Sequence, residues 1–196
     1  MKKKLLILID CQNDFITGSL ANPRAQAKVP NIVKKVQEWD GEIIATHDTH
    51  FTKLQVESNW PPAEGKAYED TMEGQKLPVP HCIKLEEGWE IQKDILAACK
   101  AKNGDGPTKF FCIDKYTFGW DGWKEYLKQF EFDEVEVCGF VAGICVDSNA
   151  TMLRAFYPNL PITVDAACIA GFAPEDEKAA YTCMKMKQID VINEDV

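Results

Sequence analysis

Short apolar runs alternate with helical patterns along this chain, and this alternation constrains the fold more than any other feature. Residues 5–9 form a continuous apolar run, as expected of a strand buried on both faces. Similar runs predict five more strands at residues 42–46, 110–113, 135–139, 162–164 and 189–192. Apolar residues at helical spacing predict helices at residues 30–39, 88–101, 120–130, 145–156 and 174–186. The pattern predicts a three-layer α/β/α fold with a doubly wound, mostly parallel six-stranded sheet.

The composition restricts the class of partner. A chain of 196 residues has the size of one domain, so we expect residues 1–196 to form a single domain. The net charge of −9 argues against a nucleic-acid partner, because a phosphate backbone is bound by basic surfaces. No apolar run approaches the roughly 18 residues of a membrane span, which argues against a membrane partner. The sequence leaves open whether the chain forms a homo-oligomer.

Eight cysteines are scattered along the chain, and no two of them form a C-x-x-C pair. This argues against a zinc ribbon or a thioredoxin motif. Several, such as Cys112 and Cys138, lie within apolar runs, where a reduced cysteine behaves as a small hydrophobic residue. We therefore predict reduced thiols and a cytoplasmic location.

One long connection interrupts the alternation of strands and helices. The segment of about 51–87 contains Trp60-Pro61-Pro62 and Pro78-Val79-Pro80 and shows no regular pattern. A connection of this length in a compact domain is usually functional or disordered. Because it also contains His81, one of the three histidines, we predict that it is an active-site loop.

Three reactive side chains follow predicted strands. Asp10 follows the first strand, Lys115 the third, and Cys145 lies beyond the fourth, after a glycine-bearing turn. Parallel strands bring their carboxyl ends to one edge, where open α/β sheets bind ligands. A thiol at the start of a helix is also expected to have a lowered pKa. Taken singly, the three have simpler explanations: a turn carboxylate, a solvated lysine and a packed cysteine.

A second polar cluster follows the second strand. In an extended segment, residues two positions apart point to the same side, so Asp48 and His50 could bind one metal ion together. His47 has the opposite parity and is expected to face away. His81 is the remaining histidine for a third ligand. One carboxylate and two imidazoles suit Zn²⁺, with Fe²⁺ or Mn²⁺ as alternatives.

Ordered motifs connect these clusters to a known family. Residues 9–15, Ile-Asp-Cys-Gln-Asn-Asp-Phe, resemble the D-x-Q-N-D-F opening of the isochorismatase-like cysteine hydrolases. Residues 114–119 resemble the catalytic lysine segment of that family, and residues 139–146 resemble its nucleophile turn. Residues 48–50 and 80–82 resemble the metal-binding segments of its nicotinamidase branch. The similarity extends over nearly the whole chain.

The resemblance implies roles for particular residues. Asp10, Lys115 and Cys145 would form a catalytic triad. The nucleophile turn would contain a cis peptide between Phe140 and Val141. The backbone N–H groups of Val141 and Cys145 would then form an oxyanion hole.

The resemblance also bears on substrate and metal. Phe15 would lie in the substrate pocket, with core packing as its alternative role. Relatives use His or Glu as a fourth metal ligand, and Glu73 is the candidate here, unless its carboxylate is simply solvated. The metal would be divalent, with zinc preferred.

Together these features predict a cysteine-dependent amidohydrolase that cleaves a small amide C–N bond through a thioester. Nicotinamide, giving nicotinate and ammonia, is the first candidate substrate. Two alternatives remain: a hydrolase of another small ureido or carbamoyl amide, and a catalytically silent binding module on the same fold.

Overall fold

A central sheet of parallel strands organises the molecule. The computed structural model describes residues 2–58, 66–102 and 110–194. Within them, six strands lie in the order β3-β2-β1-β4-β5-β6, and every neighbouring pair is parallel. The strands are β1 (Lys4–Ile9), β2 (Glu42–Asp48), β3 (Phe110–Lys115), β4 (Glu134–Phe140), β5 (Ile162–Ala170) and β6 (Asp190–Ile192). The predicted fold class is confirmed, and the sheet is wholly parallel.

The side chains of the central strand alternate between two hydrophobic cores. Leu5, Ile7 and Ile9 belong to one core, and Leu6 and Leu8 to the other. This alternation follows from the two-residue period of a strand. Because both faces are covered, β1 is apolar at consecutive positions rather than at every second one.

Helices cover both faces of the sheet. The core that contains Leu6 and Leu8 packs against helices α2 and α5, and the opposite core packs against α7 and α8. The α-helices of the described residues are α1 (Asn13–Ile16), α2 (Pro23–Glu38), α3 (Lys53–Glu57), α4 (Met72–Lys76), α5 (Lys93–Lys102), α6 (Trp123–Tyr126), α7 (Asp147–Phe156) and α8 (Pro174–Met186). None of them combines the length and apolar character needed to cross a membrane.

Two helix starts differ from the prediction. Helix α2 begins at Pro23, well before the predicted residue 30, because Asn22 caps it and Pro30 is accommodated within it. Helix α5 begins at Lys93 rather than at residue 88. Ile91 instead forms an antiparallel bridge with Gln12, and the Gln92 side chain accepts hydrogen bonds from the first helical N–H groups.

Two further predicted helices differ in form. The predicted helix 120–130 is reduced to α6 followed by a 3₁₀ turn at Leu127–Gln129. The helix predicted at 145–156 is preceded by a π-helical turn, Ala142–Val146, so Cys145 lies inside a turn and not at a helix start.

The long connection after β2 is folded where it is described. It contains α3, a 3₁₀ turn at Tyr68–Asp70, and α4. Residues 59–65, which include Trp60-Pro61-Pro62, lie outside the described residues. Helix α4 is held to the preceding turn because the Thr71 hydroxyl accepts a hydrogen bond from Gly74 N. These short helices place Glu73 and Met72 beside the carboxyl edge of the sheet.

The strand order reverses direction between β1 and β4. The chain runs from β1 outward to β2 and β3, then returns to the other side of β1 for β4, β5 and β6. In open α/β sheets the crevice for ligands opens at such a switch point, beyond the carboxyl ends of the strands. Here Asp10 follows β1 directly, and the turn with Cys145 follows β4.

Candidate active site

The three residues predicted to form a triad meet at this edge. The Nζ atom of Lys115 lies 2.7 Å from Oδ2 of Asp10 and 3.7 Å from Sγ of Cys145. It also donates a hydrogen bond of 3.0 Å to the carbonyl oxygen of Thr117. Asp10 and Lys115 are fully buried, and Cys145 retains only 3% of its exposure. A carboxylate, an ammonium and a thiol therefore form one compact group shielded from water.

Backbone and hydroxyl contacts fix the Asp10 carboxylate. Asp10 adopts a positive φ of 48°, at the point where the chain leaves β1. The Thr46 hydroxyl accepts a hydrogen bond of 3.0 Å from Asp10 N and donates one of 2.5 Å to Asp10 Oδ1. Because Thr46 occupies Oδ1, Oδ2 is the oxygen that faces Lys115.

Burial raises the pKa values of the two acidic members of the group, Asp10 and Cys145. It raises the pKa of the Asp10 carboxyl above its ordinary value, although the positive charge of Lys115 opposes the rise. It also raises the pKa of the Cys145 thiol well above its ordinary value, again against the effect of Lys115. The carboxylates of Asp10 and Asp48 add to that rise. The pKa of Lys115 is lowered by burial but raised more by the same carboxylates, so its ammonium form is favoured.

The expected lowering of the Cys145 pKa is therefore wrong for the free protein. The sulfur is buried beside two carboxylates, and it lies within the Ala142–Val146 turn instead of at the first residue of α7. A thiol with a raised pKa keeps its proton at neutral pH. The attacking thiolate would have to be formed when a base removes that proton.

The turn before Cys145 has an unusual backbone. The peptide bond between Phe140 and Val141 is cis, as predicted. Gly139 has a φ of +117°, and a Cβ atom there would lie 1.9 Å from the Ile9 carbonyl oxygen, so only glycine fits. Val141 and Cys145, the predicted oxyanion-hole residues, both line a cavity at this edge of the sheet.

Four side chains that could hold a metal ion meet beside this group. Asp48, His50, Glu73 and His81 each offer one ligand atom, and these atoms all lie within 4.8 Å of one another. Asp48 Oδ2 is 3.3 Å from His50 Nε2 and 3.6 Å from His81 Nε2. Glu73 Oε1 is 3.4 Å from His81 Nε2. The structure thus brings the two spaced ligands, the distant histidine and the candidate fourth ligand together.

The donor set fits a divalent metal ion. Nε2 of His50 is buried and has no hydrogen-bond partner in a suitable direction among the described residues. Nδ1 of His81 contacts the Val79 carbonyl oxygen at 2.9 Å, which turns its Nε2 toward the cluster. Burial lowers the pKa of His81, but the nearby carboxylates of Asp48 and Glu73 outweigh it and raise the pKa to about 10. The position favours a positive charge, and two imidazoles with two carboxylates suit Zn²⁺, Fe²⁺ or Mn²⁺.

His47 takes no part in this cluster. Its ring stacks on Trp89 with the centroids 4.4 Å apart, and its Nδ1 lies 3.6 Å from Asp114 Oδ1. Burial lowers the pKa of His47 to about 4. The structure confirms that His47 faces the side of β2 opposite to Asp48.

Asp48 connects the two groups. Its Oδ1 lies 3.2 Å from Lys115 Nζ, while its Oδ2 faces both cluster histidines. Burial alone would raise the pKa of Asp48, but the positive charge of Lys115 and the adjacent imidazoles of His50 and His81 hold it well below its ordinary value. One ionised carboxylate therefore serves both the triad and the candidate metal site.

A cavity of about 420 Å³ opens onto both groups. Phe15 lines it, and the Phe15 ring meets the His81 ring edge-on with centroids 5.6 Å apart. The other apolar lining residues are Leu20, Met72, Leu77, Phe118, Val141, Ile144 and Phe172. Phe15 is also packed in the hydrophobic core, so both predicted roles describe its position.

Two supporting residues were not predicted. Gln12 forms a reciprocal pair of 2.8 Å hydrogen bonds with the backbone N–H and carbonyl of Asp48, and thereby holds the end of β2. Thr46 holds Asp10. Thr46 shares its parity with Asp48 in β2, so the same spacing argument could have indicated it. Gln12 acts through backbone groups of a distant strand, which no sequence spacing reveals.

A family model for the isochorismatase domain matches residues 4–195, nearly the entire chain. The chain belongs to the isochorismatase family. The family predicted from the motifs is thus confirmed. A nicotinamidase of Saccharomyces cerevisiae is 29% identical to this isochorismatase-family chain over 217 residues, which cover 97% of this chain and 99% of the yeast protein.

Solved structures share the fold of this family member. A nicotinamidase/pyrazinamidase from Bacillus subtilis has 20% sequence identity and a TM-score of 0.78, with 97% of this chain and 100% of that chain covered. A pyrazinamidase of Pyrococcus horikoshii, crystallised in complex with zinc, has 20% identity and a TM-score of 0.69, with 97% and 99% covered. At these identities the likeness concerns the fold.

Proposed function

We propose that this protein is a cysteine-dependent amidohydrolase that cleaves a small amide C–N bond, with nicotinamide as the first candidate substrate. The observation that carries the proposal is the buried contact of Asp10, Lys115 and Cys145 at the wall of a cavity. Relatives named nicotinamidase support a hydrolase of amide bonds. The free thiols of all eight cysteines accord with a cytoplasmic location.

The first half of the reaction would form a thioester. Asp10 takes the thiol proton of Cys145, and the sulfur attacks the amide carbonyl carbon. The carbonyl oxygen becomes an oxyanion, which the N–H groups of Val141 and Cys145 would stabilise. As the C–N bond breaks, Asp10 returns the proton to the departing nitrogen, and ammonia leaves. The ammonium of Lys115 offsets the negative charges of the thiolate and the carboxylate.

The second half would release the acid. Asp10, again ionised, removes a proton from a water molecule as that water attacks the thioester carbon. The C–S bond then breaks, and Asp10 gives its proton back to the Cys145 sulfur. A raised pKa suits Asp10 to both roles, because a base works best when its pKa approaches the operating pH.

The metal site would orient the substrate. Asp48, His50, His81 and Glu73 would hold a divalent ion, with zinc preferred, and the zinc-bound pyrazinamidase supports that choice. A bound ion would supply a Lewis-acidic contact for a ring nitrogen or another donor of the substrate. Glu73 belongs to a short helix beyond β2, so this ligand would depend on the fold of that connection.

The cavity wall favours an aromatic amide over a ureido compound. Around the reactive group the lining is mainly apolar, with Phe15, Phe118 and Phe172 among its side chains. A flat ring amide would bury its faces against such a wall, whereas a polar ureido group would lose hydrogen bonds with water. Another small carbamoyl amide is the second candidate substrate. A silent binding module is disfavoured because all three members of the triad are in contact.

A substrate screen with ammonia release as its readout tests the proposal. We expect wild-type protein supplied with Zn²⁺ to release ammonia from nicotinamide faster than from an N-carbamoyl amino acid. Cys145→Ala should lose this activity, while Cys168→Ala, a matched change of a buried core cysteine, should retain it. Ammonia release that is undiminished in Cys145→Ala would refute the assigned nucleophile. Preference for the carbamoyl compound would select the second candidate substrate.

A further inference from the structure

A buried asparagine lies one helical turn beyond the nucleophile. Asn149 belongs to α7 and is completely shielded from solvent. Its Nδ2 donates hydrogen bonds of 2.7 Å to the Cys145 carbonyl oxygen and 2.9 Å to that of Phe118. Its Oδ1 accepts hydrogen bonds from Trp120 N at 3.1 Å and from Trp123 Nε1 at 2.8 Å. All four hydrogen-bonding capacities of the amide are therefore used.

These four bonds join two parts of the candidate active site. One partner is the carbonyl of Cys145 itself. The others belong to the segment that follows Lys115 at the end of β3, whose Thr117 carbonyl accepts a hydrogen bond from the Lys115 ammonium. Phe118 lines the cavity. Asn149 thus links the turn that carries the sulfur to the segment that holds the lysine.

Asparagine has no intrinsic advantage inside a helix. Its side chain competes with the backbone for hydrogen bonds, so its helix propensity is low, and burial without partners would be costly. A fully satisfied buried polar network instead fixes one arrangement of the elements it joins. Because every hydrogen-bonding group of the Asn149 amide has a partner, we infer that this side chain fixes the distance between the turn that carries Cys145 and the segment that follows Lys115.

We propose that Asn149 is a positioning residue, which holds Cys145 Sγ in register with Lys115 Nζ and Asp10. The role rests on the proposed function in one respect, that Cys145 is the nucleophile. A small displacement of reacting groups is costly for catalysis, about 10²-fold for 1 Å. Asn149 does not line the cavity, and its four hydrogen bonds reach none of the reacting atoms, so it would act only through the placement of Cys145.

Two substitutions separate positioning from stability. Asn149→Leu keeps the approximate size but removes all four hydrogen bonds. Asn149→Thr keeps one of them, because a threonine hydroxyl in a helix can donate to the carbonyl four residues earlier, here that of Cys145. Leu153→Ala is the matched control, since it opens a cavity at a fully buried position of the same helix without touching the site.

The readouts are kinetics and thiol reactivity. We expect Asn149→Leu to lower kcat for nicotinamide about 10²-fold, with KM near the wild-type value. It should also slow the alkylation of Cys145 by iodoacetamide, which is measured by peptide mass mapping. Asn149→Thr should recover part of both rates, and Leu153→Ala should retain them at temperatures where circular dichroism shows folded protein. If Asn149→Leu does not fold, Asn149→Thr should still fall below Leu153→Ala in kcat.

Three results would overturn the proposal. The first is that Asn149→Leu has the same kcat and alkylation rate as Leu153→Ala, and the second is that Asn149→Thr has rates no higher than a folded Asn149→Leu. The third is that Asn149→Leu changes KM and leaves kcat at the wild-type value. The alkylation measurement does not require a substrate. If the wild type releases no ammonia from nicotinamide, the proposed function fails, while the alkylation rates still decide whether Asn149 positions the thiol.

Discussion

At the scale of single residues, the site is defined by where its protons reside. Cys145 holds its proton because it is buried, and the adjacent Asp10 has a raised pKa for the same reason. Lys115 remains charged between two carboxylates. Proton transfer from sulfur to Asp10 is therefore the step that would create the nucleophile, and its pH dependence can be measured.

The decrease of kcat/KM at low pH, the acid limb of the pH profile, should reflect protonation of Asp10. Asp10 must be ionised to accept the thiol proton, so activity should fall as the pH drops through its pKa. Because burial raises that pKa, the limb should lie above the ordinary aspartate value of about 3.9. A pH–rate profile on the amide substrate measures it.

Substitution of Asp10 or Lys115 tests whether these residues belong to the catalytic triad. Asp10→Asn and Lys115→Ala should each lower kcat by roughly 10²–10⁴-fold, the usual contribution of a positioned acid or base. Asp114→Asn is the matched control, because Asp114 precedes Lys115 in β3 but pairs with Lys84 on the other side of the strand. Near-normal rates in Asp10→Asn or Lys115→Ala would reject the triad.

At the scale of secondary-structure elements, the end of β2 separates two kinds of histidine. His47 points toward Trp89, whereas Asp48 points toward the candidate metal site, and His50 lies beside Asp48 there. The connection after β2 then returns with Glu73 and His81. Strand parity and this folded connection together assemble the cluster.

Metal retention should depend on His81 and not on His47. Wild-type protein dialysed against zinc-supplemented buffer and then against metal-free buffer should retain about one zinc ion per chain, as expected of a single site with four ligands. His81→Ala should lose most of this zinc by elemental analysis, while His47→Ala, also a buried histidine, should keep it. Equal zinc content in the two variants would remove His81 from the site.

Helix α2 is tied to the sheet by a partly buried ion-pair network. Lys35 pairs with Glu136 of β4, and its Nζ lies 2.6 Å from Asp165 Oδ2 of β5. Burial raises the pKa of Asp165, but hydrogen bonds from Lys35 and Asn193 outweigh this effect and lower it. The network includes no residue of the triad or of the candidate metal site, so it is expected to affect stability rather than catalysis.

Removal of the Lys35 ammonium should lower the free energy of unfolding. Lys35→Met should cost about 1.5–3 kcal/mol in urea unfolding, because it leaves charged partners unpaired. Lys34→Met is the control: Lys34 is 72% exposed in its side chain and pairs only loosely with Glu38, so about 0–1 kcal/mol is expected. The Asp165 contribution is present above its unfolded-state pKa and is lost as the pH falls, so the difference between wild type and Lys35→Met should shrink in acid. Equal effects of the two substitutions would contradict this assignment.

At the scale of the whole molecule, the sheet topology made much of the site predictable. Asp10, Lys115 and Cys145 are far apart in sequence, but parallel strands bring their carboxyl ends to one edge. Continuous apolar runs indicated those strands, because a doubly covered sheet is apolar on both faces. The candidate metal ligands Asp48 and His50 followed from strand parity in the same way.

Features that depend on tertiary contacts could not be predicted from local patterns. The pKa of Cys145 depends on how deeply the thiol is buried, and the sequence indicated only a nearby helix. Gln12 and Asn149 act on backbone groups of distant segments. The predicted helix at residues 30–39 leaves out the first half of α2. Pro30 normally ends a helix, although here the helix continues through it.

The most direct test of the central claim is to find the acyl group on Cys145. Wild-type protein turning over nicotinamide would be quenched in acid, digested and mapped by mass spectrometry. We expect a nicotinoyl thioester on the peptide that contains Cys145, and neither this adduct nor ammonia release in Cys145→Ala. An acyl group on a different residue, or continued ammonia release by Cys145→Ala, would contradict the proposed mechanism.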